Sequence, residues 1–135
     1  MPVHWTISHP ARLVVAVTKG EVSSADIEQY FAGVTADGAM AYAKIFEITH
    51  TPGALTGALT GALSPENLKS LGQRVVFYAQ HGQVGPLAIV AASEESYAQA
   101  SIFAAAATVD RPLRIFRELH AARQWIETQK PATPT

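Results

Sequence analysis

The sequence predicts an α/β domain with a mostly parallel five-stranded sheet flanked by helices. Three short apolar runs carry this prediction, at residues 44–49 (KIFEIT), 87–92 (LAIVAA) and 113–116 (LRIF). A stretch with the apolar spacing of a helix follows each run. Because parallel strands buried on both faces need helical crossovers to join them, this alternation predicts a parallel sheet.

The N-terminal part of the chain predicts a hairpin. Val3, Trp5 and Ile7 alternate with polar residues, which is typical of a half-buried strand. A His-Pro turn separates them from residues 12–18 (RLVVAVT), a nearly continuous run of β-branched residues. We expect these two strands to pair antiparallel, with the second one nearer the centre of the sheet.

The first helix is predicted to begin after Ser23 and to end at Asp37. Ser23 and Asp26 have the spacing of a capping box, and glycine follows Asp37. Residues 42–49 form the third predicted strand. The buried stripe of the helix follows the i, i+3, i+4, i+7 rule and comprises Ile27, Tyr30, Phe31 and Val34.

Two further helices are predicted to begin at serines. Ser64 precedes a proline, the preferred first helical residue, and Ser93 follows the fourth strand. Because the apolar face of the helix after Ser93 is mostly small, we expect that helix to lie close to the sheet. The predicted inner faces are Leu68, Leu71, Val75 and Ala79 in the second helix and Tyr97, Ala100, Ala104 and Ala107 in the third.

A fifth strand and a last helix, with Leu119, Ala122 and Ile126 inward, complete the predicted order β-β-α-β-α-β-α-β-α. We expect one domain over residues 1–130. Residues 131–135 (PATPT) have no periodicity, and we expect them to be disordered.

The composition of the chain argues against several classes of function. The net charge of −1 creates no field that would attract nucleic acid, and the absence of cysteine excludes disulfides and thiolate chemistry. No apolar run is long enough to span a bilayer, and no signal peptide is apparent, so we expect a cytoplasmic protein. The densest basic group, residues 111–117, is interpreted as a solvated strand end, with an anion site as the alternative.

Residues 53–64 form a GALT-GALT-GALS repeat between the third strand and the second helix. In open α/β sheets ligands bind beyond the carboxyl ends of the strands, and this segment leaves such an end. Leu55, Leu59 and Leu63 therefore suggest a mobile lid over an apolar ligand. The alternative is an insertion that is tolerated because lengthening a surface loop costs little entropy.

Other candidate binding residues lie near the strand ends. Glu47 interrupts an apolar strand, and with Thr49 it should face away from His50. Ser64 and Ser93 begin helices, where capping competes with anion binding. No residue pattern indicates a catalytic site, a metal site or a cofactor.

The chain resembles the SpoIIAA-like (STAS/SEC14-type) family. The resemblance rests on LVVAVTKGEVSSADIEQYF, on KIFEITH leading through ALSPENLKSLG, and on AIVAASEESYAQASIFAAAA followed by LRIFRELHAARQWI. It implies a superhelix of strand–helix units. In relatives that act as anti-sigma-factor antagonists, a serine at the start of the second helix is phosphorylated. Ser64 matches as a hydroxyl at that helix start, but the family's flanking aspartate and glycine are missing.

The expected function is a non-catalytic regulatory or protein-binding module, forming a homodimer. The first alternative is a binding protein for a small apolar or lipid-like ligand held under residues 53–64. A hydrolase or isomerase using Glu47 and His50 is a further alternative.

Overall fold

The computed structural model describes residues 3–19, 22–48, 64–109 and 111–129. Within these ranges the predicted element order is confirmed. The elements are β1 (Val3–Ser8), β2 (Leu13–Thr18), α1 (Ser24–Ala36), β3 (Ala43–Ile48), α2 (Pro65–His81), β4 (Leu87–Ala91), α3 (Glu94–Ala106), β5 (Leu113–Phe116) and α4 (Leu119–Gln129).

The five strands form one mixed sheet in the spatial order β1-β2-β3-β4-β5. β1 and β2 pair antiparallel, as the hairpin prediction requires, and the three other pairs are parallel. Each helix from α1 to α3 therefore connects a strand to its immediate neighbour.

The helices divide unequally between the two faces of the sheet. The buried residues of α1, α2 and α3 belong to one core with Val14, Ala16 and Ile89. The buried residues of α4 pack with Ile45 and Val90 on the opposite face. Crossovers of one hand between successive strands place their helices on the same side, which explains the three-to-one distribution.

The predicted helix starts are confirmed by their caps. Ser23 accepts a hydrogen bond from the Asp26 amide at 3.2 Å, and the Asp26 carboxylate accepts one from the Ser23 amide at 2.9 Å. Ser64 accepts from the Asn67 amide at 3.2 Å, and Ser93 accepts from the Ser96 amide at 3.0 Å. Local sequence therefore fixes where α1, α2 and α3 begin.

α3 contacts β4 and β5, and its small residues also bring it against α2. Gly72 on α2 lies against Ala106, and a Cβ at Gly72 would be 2.6 Å from the Ala106 Cβ and 2.9 Å from its carbonyl carbon. Small side chains thus bring two helices together, with Ser96 and Ala100 as the buried positions of α3.

Several predictions fall outside the described residues. These are the disordered tail, the structure of the GALT repeat, and the candidate residues Thr49, His50, Leu55, Leu59 and Leu63. Among the helices that the structure describes, none combines the length and the apolar composition needed to cross a membrane.

Candidate functional site

A cavity of about 80 Å³ lies between the sheet and the three helices α1, α2 and α3. This volume is several times the roughly 10–15 Å³ that one water needs. α2 packs on α3 and α1, whereas the backbones of α3 and α4 approach the strands more closely than that of α2 does. The cavity therefore occupies the space beneath α2.

The lining of this cavity is mostly apolar, with four polar exceptions. The lining residues from the strands run along β3 from Lys44 to Ile48, a distance of roughly 13 Å. The polar side chains that line it are Tyr30, Lys44, Gln99 and Arg111. The apolar ones are Ile27, Phe31, Val34, Met40, Phe46, Ile48, Leu68, Leu71, Val75, Val84, Leu87, Ile89, Ala100 and Phe103.

Lys44 occupies an inward position in the middle of the sheet. The strand registers place it in one cross-strand row, whose other members are Ile7, Val14, Leu87 and Leu113. The residue is only 4% exposed. A lysine in an apolar row is costly, because burial removes the water that stabilises its charge.

Two backbone carbonyls hold the Lys44 ammonium. Its Nζ donates hydrogen bonds to the carbonyl oxygen of Met40 and, at 2.9 Å, to that of Tyr42. Burial, and in second place the nearby charge of Arg111, lower the pKa of Lys44 from 10.5 to about 7. An ammonium has three protons to donate, so one remains for another acceptor when Lys44 is charged.

Arg111 uses only part of its hydrogen-bonding capacity. Its Nη1 donates to the carbonyl oxygen of Gly85 at 3.2 Å. Nε and Nη2 are inaccessible to water and have no partner in the described part of the chain. These two donors lie on one edge of the guanidinium, the edge that binds both oxygens of a carboxylate or phosphate. Burial lowers the pKa of Arg111 to about 10, although the nearby Tyr30 phenol opposes that shift.

Tyr30 also lines the cavity, and its covered hydroxyl is a third unsatisfied donor. The residue is 3% exposed, and its hydroxyl has no hydrogen-bond partner among the described residues. Burial raises the pKa of this phenol well above its usual value, with the charge of Arg111 acting in the opposite direction. Tyr30 is therefore a neutral donor over the ordinary pH range.

The charges of the cavity are not balanced by the described side chains that line it. Two basic residues are present, whereas no aspartate or glutamate is among the lining residues. Arginines at the surface differ: Arg74 pairs with Glu28 at 2.7 Å, and Arg117 pairs with Glu94 at 3.3 Å. The cavity thus has apolar walls, and Lys44 and Arg111 lie beside it with the unpartnered polar atoms of Arg111 and Tyr30 almost entirely covered.

Lys44 and Arg111 lie at the amino edge of the parallel strands. Lys44 is the second residue of β3. Gly85 lies two residues before the start of β4, and Arg111 lies two residues before the start of β5. A Cβ at Gly85 would overlap the carbonyl oxygens of Tyr42 and Ala41, so glycine is required for this close backbone approach. The Tyr42 carbonyl is also an acceptor for Lys44, which links the turn to the site.

The described candidates predicted from sequence do not line this cavity. Glu47 is half-buried and lies in β3 between Phe46 and Ile48, whose side chains face the cavity, so Glu47 belongs to the opposite face. Ser64 and Ser93 cap α2 and α3 and are not among the lining residues. The remaining five candidates are the ones outside the described residues.

Sequence reasoning did not single out Lys44, Arg111 and Tyr30 as residues that line a cavity. A signal was present for Lys44, because it shares the period-two parity of Phe46 and Ile48 and therefore had to face inward. Arg111 was grouped with a solvated strand end, and that interpretation is wrong for this residue. Tyr30 was predicted to be core, and the sequence contained no sign that its hydroxyl would lack a partner.

The residues that the structure describes contain no group of three histidine, aspartate or glutamate side chains that could hold a metal ion. Comparisons of the chain with protein-family models, with curated proteins and with solved structures find no significant match.

Proposed function

We propose that this protein is a non-catalytic binding protein for a small, largely apolar molecule, and that the cavity beneath α2 is its binding site. The observation that carries the proposal is a cavity of about 80 Å³ whose walls are almost entirely apolar. Ligand sites in proteins commonly have this composition.

Described residues on both sides of the GALT repeat line the same cavity. Ile48, the last residue of β3, and Leu68, in the first turn of α2, both line the cavity. The chain therefore leaves β3 and enters α2 at the cavity wall. The hypothesis that the leucines of residues 53–64 cover an apolar ligand stays a prediction, since Leu55, Leu59 and Leu63 lie outside the described residues.

A cavity-filling variant tests the proposal. Ala100 lines the cavity from α3, whereas Ala104 is one turn further along the same helix and does not. We expect Ala100→Leu to abolish binding of a neutral, polarity-sensitive dye and Ala104→Leu to retain it. Native mass spectrometry of the gently purified protein should also show a bound small molecule. Equal dye binding by both variants would place the ligand elsewhere.

A regulatory or protein-binding role, with homodimer formation, is the second candidate. The observation that favours it is Phe77 on α2, which is 51% exposed and stacks on His81 with ring centroids 4.6 Å apart. The order of strand–helix units supports a SpoIIAA-like superhelix as the scaffold. Sedimentation should show a dimer that Phe77→Ser weakens and that Gln73→Ser, on the same helix, leaves intact. A monomer at all concentrations would contradict the homodimer.

A further inference from the structure

The polar atoms beside the cavity contribute almost nothing to its inner surface. The Lys44 ammonium is held by the backbone carbonyls of Met40 and Tyr42. The unpartnered nitrogens of Arg111 and the Tyr30 hydroxyl are inaccessible to water. The surface that faces the cavity is therefore almost wholly apolar. A polar group of a ligand would lose its hydration there without gaining a hydrogen bond, which is costly.

Among the described lining residues, four are aromatic, and they come from three elements. Tyr30 and Phe31 reach the cavity from α1, Phe46 from β3 and Phe103 from α3. Tyr30 packs on two of these rings, with its centroid 5.8 Å from that of Phe31 and 5.4 Å from that of Phe46. Rings prefer offset or edge-to-face neighbours, so a further ring placed here gains contact energy that a saturated hydrocarbon of the same size does not.

The electrostatics of the cavity favour the same class of ligand. The ammonium of Lys44 and the guanidinium of Arg111 lie covered beside it, and the described lining residues include no carboxylate. Positive charge is poorly screened in a protein interior, so its field reaches the cavity through the atoms that cover it. The faces of an aromatic ring are negative and need no hydrogen bond, so a ring responds to this field without the desolvation cost of an anion.

We propose that the enclosed part of the ligand is one uncharged aromatic ring without hydrogen-bonding groups. The cavity volume of about 80 Å³ sets the size. An apolar cavity of the same order, about 150 Å³, stays dry and binds benzene. The ring packs among Tyr30, Phe46 and Phe103, and its affinity comes from ring contacts and from leaving water. This assignment rests on the proposed function and adds the chemical class of the ligand.

The test compares three six-membered rings of similar size. Benzene is the aromatic probe, cyclohexane is the saturated one, and pyridine is a benzene ring with one hydrogen-bond acceptor. NMR titration of the full chain at pH 8, where pyridine is neutral, gives each dissociation constant. Benzene should bind about tenfold or more tighter than pyridine, because the buried pyridine nitrogen loses its hydrogen bond to water. Benzene should bind about threefold tighter than cyclohexane, because only benzene gains ring contacts.

Methyl resonances in the same titration locate the bound ring. Leu71 and Val75 line the cavity, whereas Ile45 and Ile126 belong to the core on the opposite face of the sheet. The ring current of bound benzene should therefore shift the methyl signals of Leu71 and Val75 and leave those of Ile45 and Ile126 unchanged. Shifts confined to the opposite core would overturn the assignment.

Two phenylalanine variants test the aromatic wall. Phe103→Leu removes a ring that lines the cavity and keeps the wall apolar. Benzene should therefore bind about threefold weaker to this variant, while the affinity for cyclohexane stays nearly the same. Phe116→Leu is the matched control, since Phe116 packs on the opposite face of the sheet, and it should leave both affinities unchanged. Equal benzene binding by wild type and Phe103→Leu would contradict the role of the aromatic wall.

The outcomes separate this assignment from the proposed function. If pyridine or cyclohexane binds to the wild type as tightly as benzene, the assignment of an aromatic ring is overturned and the apolar binding function stands. If the polarity-sensitive dye binds and none of the three rings does, the assignment of an aromatic ring alone is overturned. If neither the dye nor any ring binds, both proposals are overturned.

Discussion

The lowered pKa of Lys44 predicts that the protein becomes more stable as the pH rises from 7 to 9. In the unfolded chain this lysine has its ordinary pKa of 10.5, whereas in the folded protein the pKa is about 7. Between these values the unfolded state binds more protons, so the free energy of unfolding increases with pH. One group contributes at most about 1.4 kcal/mol per pH unit, which amounts to roughly 2 kcal/mol between pH 7 and 9.

The neighbouring groups act outside this pH window. Burial lowers the pKa of Arg111 from 12.5 to about 10, so its contribution to the unfolding free energy changes above pH 10. Burial raises the pKa of the Tyr30 phenol in the folded protein above its usual value of 10. The contribution of this phenol to the free energy of unfolding therefore decreases only above pH 10. The range from pH 7 to 9 therefore reports on Lys44.

Urea unfolding at pH 7, 8 and 9, followed by the fluorescence of Trp5 and Trp125, measures the effect. Wild-type protein should gain about 2 kcal/mol over this range, and Lys44→Met should lack that gain. Lys69→Met, at an exposed position of α2, is the control and should behave like wild type. A flat wild-type profile, or an undiminished gain in Lys44→Met, would refute the assignment of a destabilised buried ammonium.

Two further outcomes follow from the geometry. Tyr30→Phe should raise the unfolding free energy of the ligand-free protein by about 1 kcal/mol, because it removes an orphaned buried hydroxyl; Tyr42→Phe, which removes a hydroxyl bonded at 2.8 Å, should not stabilise. Gly72→Ala should cost roughly 1–3 kcal/mol in urea unfolding by forcing α2 from α3, whereas Gly82→Ala meets nothing within 4 Å and should cost far less.

The secondary structure was predictable because its signals are local. A serine marks each of three helix starts, and in the folded chain each serine hydroxyl accepts a hydrogen bond from the backbone amide three residues later. The alternation of apolar strands with amphipathic stretches likewise predicted the parallel pairs. These features depend on neighbours within one turn or one strand, so the amino-acid order alone is sufficient.

The buried basic residues beside the cavity lie at the edge of the sheet opposite to the one that the sequence analysis considered. The general tendency of α/β sheets to bind ligands at the carboxyl ends directed attention to Glu47 and the residues after β3. Lys44 and Arg111 lie at the amino edge, where the turns before β4 and β5 meet the start of β3. No local pattern encodes that meeting, since it depends on strand order and register.

Sequence alone was enough for the identity and order of the strands and helices, and for the inward parity of Lys44. The tertiary structure was needed to show that Lys44, Arg111 and Tyr30 line one cavity without a described carboxylate among its walls. The reason is physical: hydrophobic periodicity records which side of an element is buried. Whether a buried polar group finds a partner depends on side chains far away in the chain, which only packing brings together.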